Sequence, residues 1–293
     1  MAEGRFSYGG QAVIEGVMIR GRKGYATALR LANGEVEVHR QAWVPLTQRH
    51  RLLRLPIIRG TPALIDALVV GYRTLMLSAD RVARGEGIKP PTPVQYGISI
   101  AIALAIAIGG FVLLPSAVTP KIVTNFLLLN LIEGVIRLVV FVLFLLGVSL
   151  MPDMRRVFQY HGAEHKVINA FEERGSYSSE DARDFRTLHP RCGTSFIFMV
   201  LVVGILVHAV VRWPSLWLRL AWRLALLPVV AGLSYELVKL AGAHRSSWLL
   251  GALVAPGMWL QRITTREPTP DQIEVAIRAL EGALAVDGAE AES

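Results

Sequence analysis

Charge is scarce in this sequence, and negative charge is the scarcer sign. Only 18% of the 293 residues are Asp, Glu, Lys or Arg, against 53% hydrophobic, a balance too apolar for an ordinary soluble domain of this length. Cysteine is scarcer still. The lone Cys192 excludes an internal disulfide framework and leaves one thiol available as a ligand. The opening residues, MAEGRFSYGG, lack the apolar core and cleavage site of a secretory signal, so the expectation is that the start is retained and the first membrane spans do the targeting. The 31 basic residues outnumber 23 acidic ones for a formal charge of +8. Beside long apolar runs, that excess orients a chain against a bilayer, and no nucleic-acid partner is expected.

What is abundant is apolar sequence in spans. Residues 96–118 carry no charge and are long enough to cross a hydrocarbon core of about 30 Å. A second span, 123–150, is broken only by Glu133 and Arg137; a third covers 194–211 and a fourth 222–241. Lys and Arg number 14 in residues 1–95 and seven in 151–193, with Lys121 alone between the first two spans. The basic segments are therefore expected to be cytoplasmic. Residues 246–261 are short for a span and contain Pro256 and Gly257, which predicts an interfacial or re-entrant segment.

The expected fold is an α-helical polytopic membrane protein, with about four transmembrane helices and a small β-rich cytoplasmic N-terminal part. Its parts are the β-rich segment 1–60, an amphipathic or interfacial helix and linker 61–95, a transmembrane hairpin 96–150, a cytoplasmic segment 151–193, a second hairpin 194–242, the interfacial segment 243–263, and a cytoplasmic helix with tail 264–293. Within the first part, YATALRL and EVEVHRQAW flank Asn33-Gly34, a hairpin signal. From Thr61 an amphipathic helix runs towards Arg84, with Asp66, Arg73 and Asp80 recurring every seven residues as one narrow polar stripe. Near the end, Thr269 and Gln272 fit a capping box, and Ile273, Ile277, Leu280 and Leu284 form one apolar face, suited to packing or to homo-oligomer formation. The closing DGAEAES reads as frayed.

The chemistry concentrates in YHGAEHK. A helix after Pro152 puts His161 and His165 one turn apart and Glu164 on much the same face, in the order His-x-x-Glu-His. Imidazoles at i and i+4 can converge on one ion while a nearby carboxylate activates its water, as in the inverted zincins. His189 and Cys192 of HPRC, in the same polar segment, supply further candidate ligands. If all four bind, the site is closed and structural; if one stays free, a position opens for water and Glu164 becomes a candidate general base. The ion expected is a divalent transition metal, zinc first. Ionisable groups within the spans form a second constellation: Glu133 with Arg137 at i and i+4, and Glu236 with Lys239 at i and i+3. Such groups face a bundle interior, a cavity or each other.

Five motifs in order, GGQAVIEGVMIRG, YHGAEHKVINAFE, HPRCGTSF, GLSYELVKLAG and PGMWLQRITTREPTPDQIEVAI, resemble the YqhQ-like bacterial membrane proteins over residues 9–279. The family is a domain of unknown function labelled a predicted metal-dependent enzyme, and the matching positions are His161, Glu164, His165, His189, Cys192 and Glu236. One departure, Ile19 where relatives commonly have methionine, lies far from the ligands. The expected function is a metal-dependent membrane enzyme, a hydrolase acting at the cytoplasmic membrane surface. The alternative is a non-enzymatic transporter or membrane-protein assembly factor with a structural metal or polar cluster. The lipid bilayer is the expected partner, and the substrate is not readable.

Overall fold

The computed structural model describes residues 7–119, 123, 125–209, 215–244 and 247–288. Lys121, residues 210–214, Ser246 and residues 289–293 lie outside the described residues. Four strands, β1 (Gly9–Val13), β2 (Gly16–Arg20), β3 (Gly24–Arg30) and β4 (Val36–Ala42), form an antiparallel meander in sequence order. The Asn-Gly turn closes the β3–β4 hairpin: Gly34 takes φ +87°, and Asn33 Oδ1 accepts the Glu35 N–H at 3.1 Å. A further hairpin, β1–β2, precedes it, its short connection carrying Glu15 at φ +53°. That conformation is uncommon outside glycine; the Glu15 carboxylate is held by Arg156 and, at 3.2 Å, by the Tyr160 hydroxyl.

The helices that position the candidate site are α1 (Gly60–Gly85), α2 (Pro93–Val118), α3 (Phe126–Ser149), α4 (Pro152–Arg174), α5 (Gly193–Ala209), α6 (Leu216–Ala243), α7 (Trp248–Thr264) and α8 (Pro270–Gly288). Because strand side chains alternate, Val17, Ile19, Ala26 and Ala28 point to one sheet face, where they pack with Tyr160, Ala163, Val167 and Ile168 of α4 and Ile273, Ala276, Ala279 and Leu280 of α8. Met18 and Tyr25 point the other way and meet Val70 of α1. The polar N-terminal, middle and C-terminal segments therefore share one core. The apolar face of α8 is spent inside the molecule, so packing accounts for the pattern that also suited self-association. Gln272 Oε1 accepts the Thr269 N–H at 2.9 Å, one arm of the expected capping box. Asp287 is not frayed: it accepts the Tyr8 hydroxyl at 2.7 Å and the Arg22 and Lys23 N–H groups at 2.9 and 2.8 Å.

Among the described residues, four helices are long and apolar enough to cross a membrane: α1, α2, α3 and residues 217–243 of α6. The number matches the expectation, but the set differs. The third expected span corresponds to α5, only 17 residues in its described extent, a turn or so short of crossing about 30 Å at 1.5 Å per residue. In its place stands α1, whose polar stripe is engaged by other parts of the chain. Asp66 is buried and accepts the Leu46 N–H at 2.8 Å, Asp80 accepts the Tyr96 hydroxyl at 2.7 Å, and Arg73 lies over the Trp43 ring. Ile65, Leu68, Tyr72 and Leu75 are left exposed on the outside, the arrangement an apolar solvent favours. The segment 246–261, expected to be interfacial or re-entrant, falls largely on α7, which has Pro256 inside it; its Val254 and Met258 share a core with α5 and α6.

Candidate metal centre

Helix α4 is built by local signals. Pro152 occupies its first turn, where no intrahelical partner is needed for the missing N–H, Asp153 and Arg174 complement the dipole at the two ends, and Gly175 at φ +70° closes it with its N–H on the Phe171 carbonyl at 3.0 Å. His161 and His165 consequently lie side by side, with ring centroids 4.4 Å apart and planes tilted by 59°. Cys192 ends the turn before α5, its N–H on the His189 carbonyl at 3.3 Å. These elements bring one donor atom each from His161, His165 and Cys192 within 4.8 Å of one another.

The orientation of the donors is set from outside. His161 Nδ1 lies 2.8 Å from the Thr264 carbonyl and His165 Nδ1 lies 2.6 Å from the Thr187 carbonyl. A carbonyl can only accept, so each Nδ1 carries its proton and each Nε2 is left for the centre, the arrangement that fixes metal-ligating histidines. His161 Nε2 sits 3.3 Å from Cys192 Sγ, which also accepts the Thr194 N–H at 3.4 Å. Glu164 is buried with Oε2 3.4 Å from His165 Nε2. Burial alone would raise the Cys192 thiol, but His161 and then His165 hold it well below its usual value. Burial likewise opposes charge on His161, yet the Cys192 thiolate, followed by Glu164 and the Thr264 carbonyl, raises that imidazole to about 9. The site thus holds a thiolate against a proton, at a place where a cation of borderline softness would have one thiolate and two imidazoles as donors; zinc fits that set.

His189 stands beside this group without joining it. Its ring is 5.7 Å from that of His165, Nδ1 accepts the Arg191 N–H at 3.3 Å and Nε2 faces Glu172 at 3.4 Å. Both nitrogens being engaged, the expected fourth ligand acts here on the local turn; burial, only partly offset by Glu172, pushes its pKa down.

Several residues that sequence reasoning did not single out hold the centre together. Gln261 is fully buried: its Oε1 accepts the His189 N–H at 2.8 Å, while its Nε2 donates to the His189 carbonyl and to Ser195 Oγ, both at 2.8 Å. Gly162, between the histidines, lets α4 touch the chain after α7, where the Arg266 N–H donates to the Phe158 carbonyl at 2.9 Å. Asn169 and Lys166 tie α4 to the carbonyls of Arg186, Leu188 and Arg183. The available signal was PGMWLQRITTRE, long and specific yet unexplained by fold alone. A cleft of about 530 Å³ between α4, residues 184–190 and α7 has none of the three donors in its lining.

The pairs expected within the spans are rearranged. Glu133 meets Arg137 at 2.6 Å as expected, but also Arg223 at 2.6 Å and Arg219 at 3.3 Å. Glu236 is bound by Arg59 and by the Ile57 N–H at 3.2 Å rather than by Lys239, which lies beside it as an electrostatic neighbour. Ile57, at φ +67°, is a strained position for a β-branched residue, and Glu236 has the structural task of holding that turn on α6.

The family model described as protein of unknown function (DUF1385) matches residues 55–286, which includes every residue of this centre. The chain belongs to the DUF1385 family. It is also 35% identical over 297 residues to the uncharacterized protein YqhQ of Bacillus subtilis (strain 168), an alignment covering 96% of this chain and 93% of that protein. No solved structure matches it.

Proposed function

We propose that this DUF1385 protein is a metal-dependent enzyme of the bacterial inner membrane, a hydrolase working at the cytoplasmic surface, with its N-terminus on that side. The observation that carries the reading is the pair of Nε2 atoms turned towards Cys192 Sγ by carbonyls on both Nδ1 atoms, with the Glu164 carboxylate beside His165. Three protein donors leave one tetrahedral position, the pattern of catalytic rather than closed zinc sites. A bound zinc would supply Lewis acidity and a water of lowered pKa. Glu164 is positioned to accept that proton at its carboxylate, Thr187 and Thr264 hold the imidazoles in one tautomer, and His161, the least buried donor, marks the side open to approach. The sidedness rests on the basic segments 1–95 and 151–193.

A second reading has its own observation: His165, Glu164 and Cys192 are only 2%, 4% and 6% exposed, as in a site that merely ties α4 to the start of α5. The protein would then be a non-enzymatic transporter or membrane-protein assembly factor with a structural metal. Elemental mass spectrometry on detergent-purified wild type, His161→Ala, Cys192→Ala and Glu164→Gln separates the readings when paired with complementation of a null strain. The catalytic reading expects near-stoichiometric metal lost in the first two variants and kept in Glu164→Gln, which nevertheless fails to complement. Complementation by metal-loaded Glu164→Gln supports the structural reading, and wild type without metal after reconstitution with zinc or iron ends both.

A further inference from the structure

The cluster around Glu133 lies at the other end of the bundle from the His–Cys group. Glu133 is in the second turn of α3, whose far end leads into α4, and Arg219 and Arg223 are in the first two turns of α6. The single carboxylate, 0% exposed, is shared by three guanidinium groups. Ser116 completes the cage: its hydroxyl donates to Glu133 Oε1 at 2.5 Å, and its carbonyl accepts from Arg219 at 3.4 Å. Arg137 Nε reaches the Phe111 carbonyl at 2.9 Å. That carbonyl belongs to a π-helical turn, Gly109–Leu113, where the widened ladder suits a side-chain donor.

This leaves two positive charges in excess, and among the described residues no second carboxylate is paired with these guanidinium groups. Between Glu86 and Asp153 the only acidic residue is Glu133, and between Arg191 and Glu236 there is none. The donors are not exhausted either. Arg219, 9% exposed, has a buried Nε without a hydrogen-bond partner among the described residues, and so does Arg223 one turn later. Buried guanidinium groups in excess of carboxylate, with unsatisfied N–H groups, call for an oxyanion from outside the chain. A phosphate group matches best, because its several oxygens accept from planar guanidinium forks and its charge of one to two offsets half or all of the excess.

We propose that Arg219, Arg223 and Arg137, assembled on Glu133, form a binding site for a phosphate oxyanion, carried by a phospholipid headgroup or by a soluble phosphate. The site is separate from the His–Cys centre and does not depend on its chemistry.

The test uses the full chain purified in uncharged detergent. Thermal midpoints are compared in chloride and in inorganic phosphate at equal ionic strength. In parallel, retained lipid is measured by native mass spectrometry after reconstitution in phosphatidylcholine vesicles with or without phosphatidylglycerol. Arg219→Gln is the informative variant, since Arg137 and Arg223 still satisfy Glu133. For wild type the expectation is stabilisation by phosphate, retention of phosphatidylglycerol, or both; the arm that responds identifies the source. Arg219→Gln should weaken that response by about 10- to 100-fold, the loss of one charge-assisted bond, without lowering the midpoint in chloride, because it relieves repulsion in the empty cage. The proposal is overturned if wild type responds in neither arm, or if Arg219→Gln lowers the midpoint equally with and without anion, which would make Arg219 a purely structural partner of Glu133.

Discussion

Gly162→Ala tests how the candidate centre is assembled without touching a donor atom. An added Cβ would fall inside the van der Waals sphere of the Arg266 carbonyl oxygen, with the carbonyl carbon at 3.2 Å and Thr187 Cγ2 at 3.3 Å. The oxygen belongs to backbone, so relief requires α4 and the chain after α7 to separate. Separation strains the bond from the Arg266 N–H to the Phe158 carbonyl and withdraws the Thr264 carbonyl from His161. Overpacking of this kind costs about 1–3 kcal/mol, and one strained backbone bond adds about 1 kcal/mol. A destabilisation of about 2–4 kcal/mol is expected, read as a lower melting midpoint in detergent and a lower metal content. Gly147→Ala is the control: nothing lies within 4 Å of a Cβ there, and in a helix interior the exchange should stabilise by about 0.5–1 kcal/mol. If Gly162→Ala melts no lower than wild type and keeps its metal, the close approach of α4 to residues 264–266 does not build the centre.

Three further outcomes are expected. Glu133→Gln leaves three buried guanidinium groups without their carboxylate, a loss of about 3–5 kcal/mol, and should remove most folded protein from the membrane fraction in a quantitative blot. Gln261→Leu keeps volume but strands the buried His189 N–H and takes a partner from the His189 carbonyl and the Ser195 hydroxyl; about 2–4 kcal/mol should be lost, with metal content falling because the turn carrying Cys192 loosens. Asp287→Ala removes the acceptor for Tyr8, Arg22 and Lys23, and amide exchange at Arg22 and Lys23 should quicken by about one to two orders of magnitude while α4 amides stay protected.

What the sequence made legible was local. Pro152 marked the start of α4, the i, i+4 spacing placed His161 and His165 on one face, and Cys192 three residues after His189 was close enough in the chain to be drawn in. What stayed hidden was carried by distant residues or by backbone. Arg219 and Arg223 reach Glu133 across 86 and 90 positions, and Arg59 reaches Glu236 across 177, so helix periodicity could offer only the intrahelical partners Arg137 and Lys239. The carbonyls of Thr187 and Thr264 orient the imidazoles, yet a carbonyl is common to every residue and has no signature. The polar stripe of α1 was visible as a pattern, but a pattern gives no sign of which face meets protein. The buried Asp66 and the exposed Ile65 and Leu68 decide that question.

The positions of these pieces along the chain bear on how the centre can form. The sheet comes from the N-terminal residues, α4 from the middle and α8 from the end, and all three contribute to one core. The apolar helices are therefore inserted into the sequence of a single polar domain, between β4 and α4 and again between α4 and α8. Of the groups that set up the centre, His161 and His165 belong to that domain, Cys192 to the turn entering α5, and the Thr264 carbonyl to the last residue of α7. The donors converge only where the domain and the helical bundle meet, and the last orienting group is the last to be synthesised. A chain ending before α7 would have every candidate ligand but not the carbonyl that fixes His161, nor Gln261 clamping the His189 turn. An ion at this junction would thus report that domain and bundle have docked, whichever of the two proposed roles it serves.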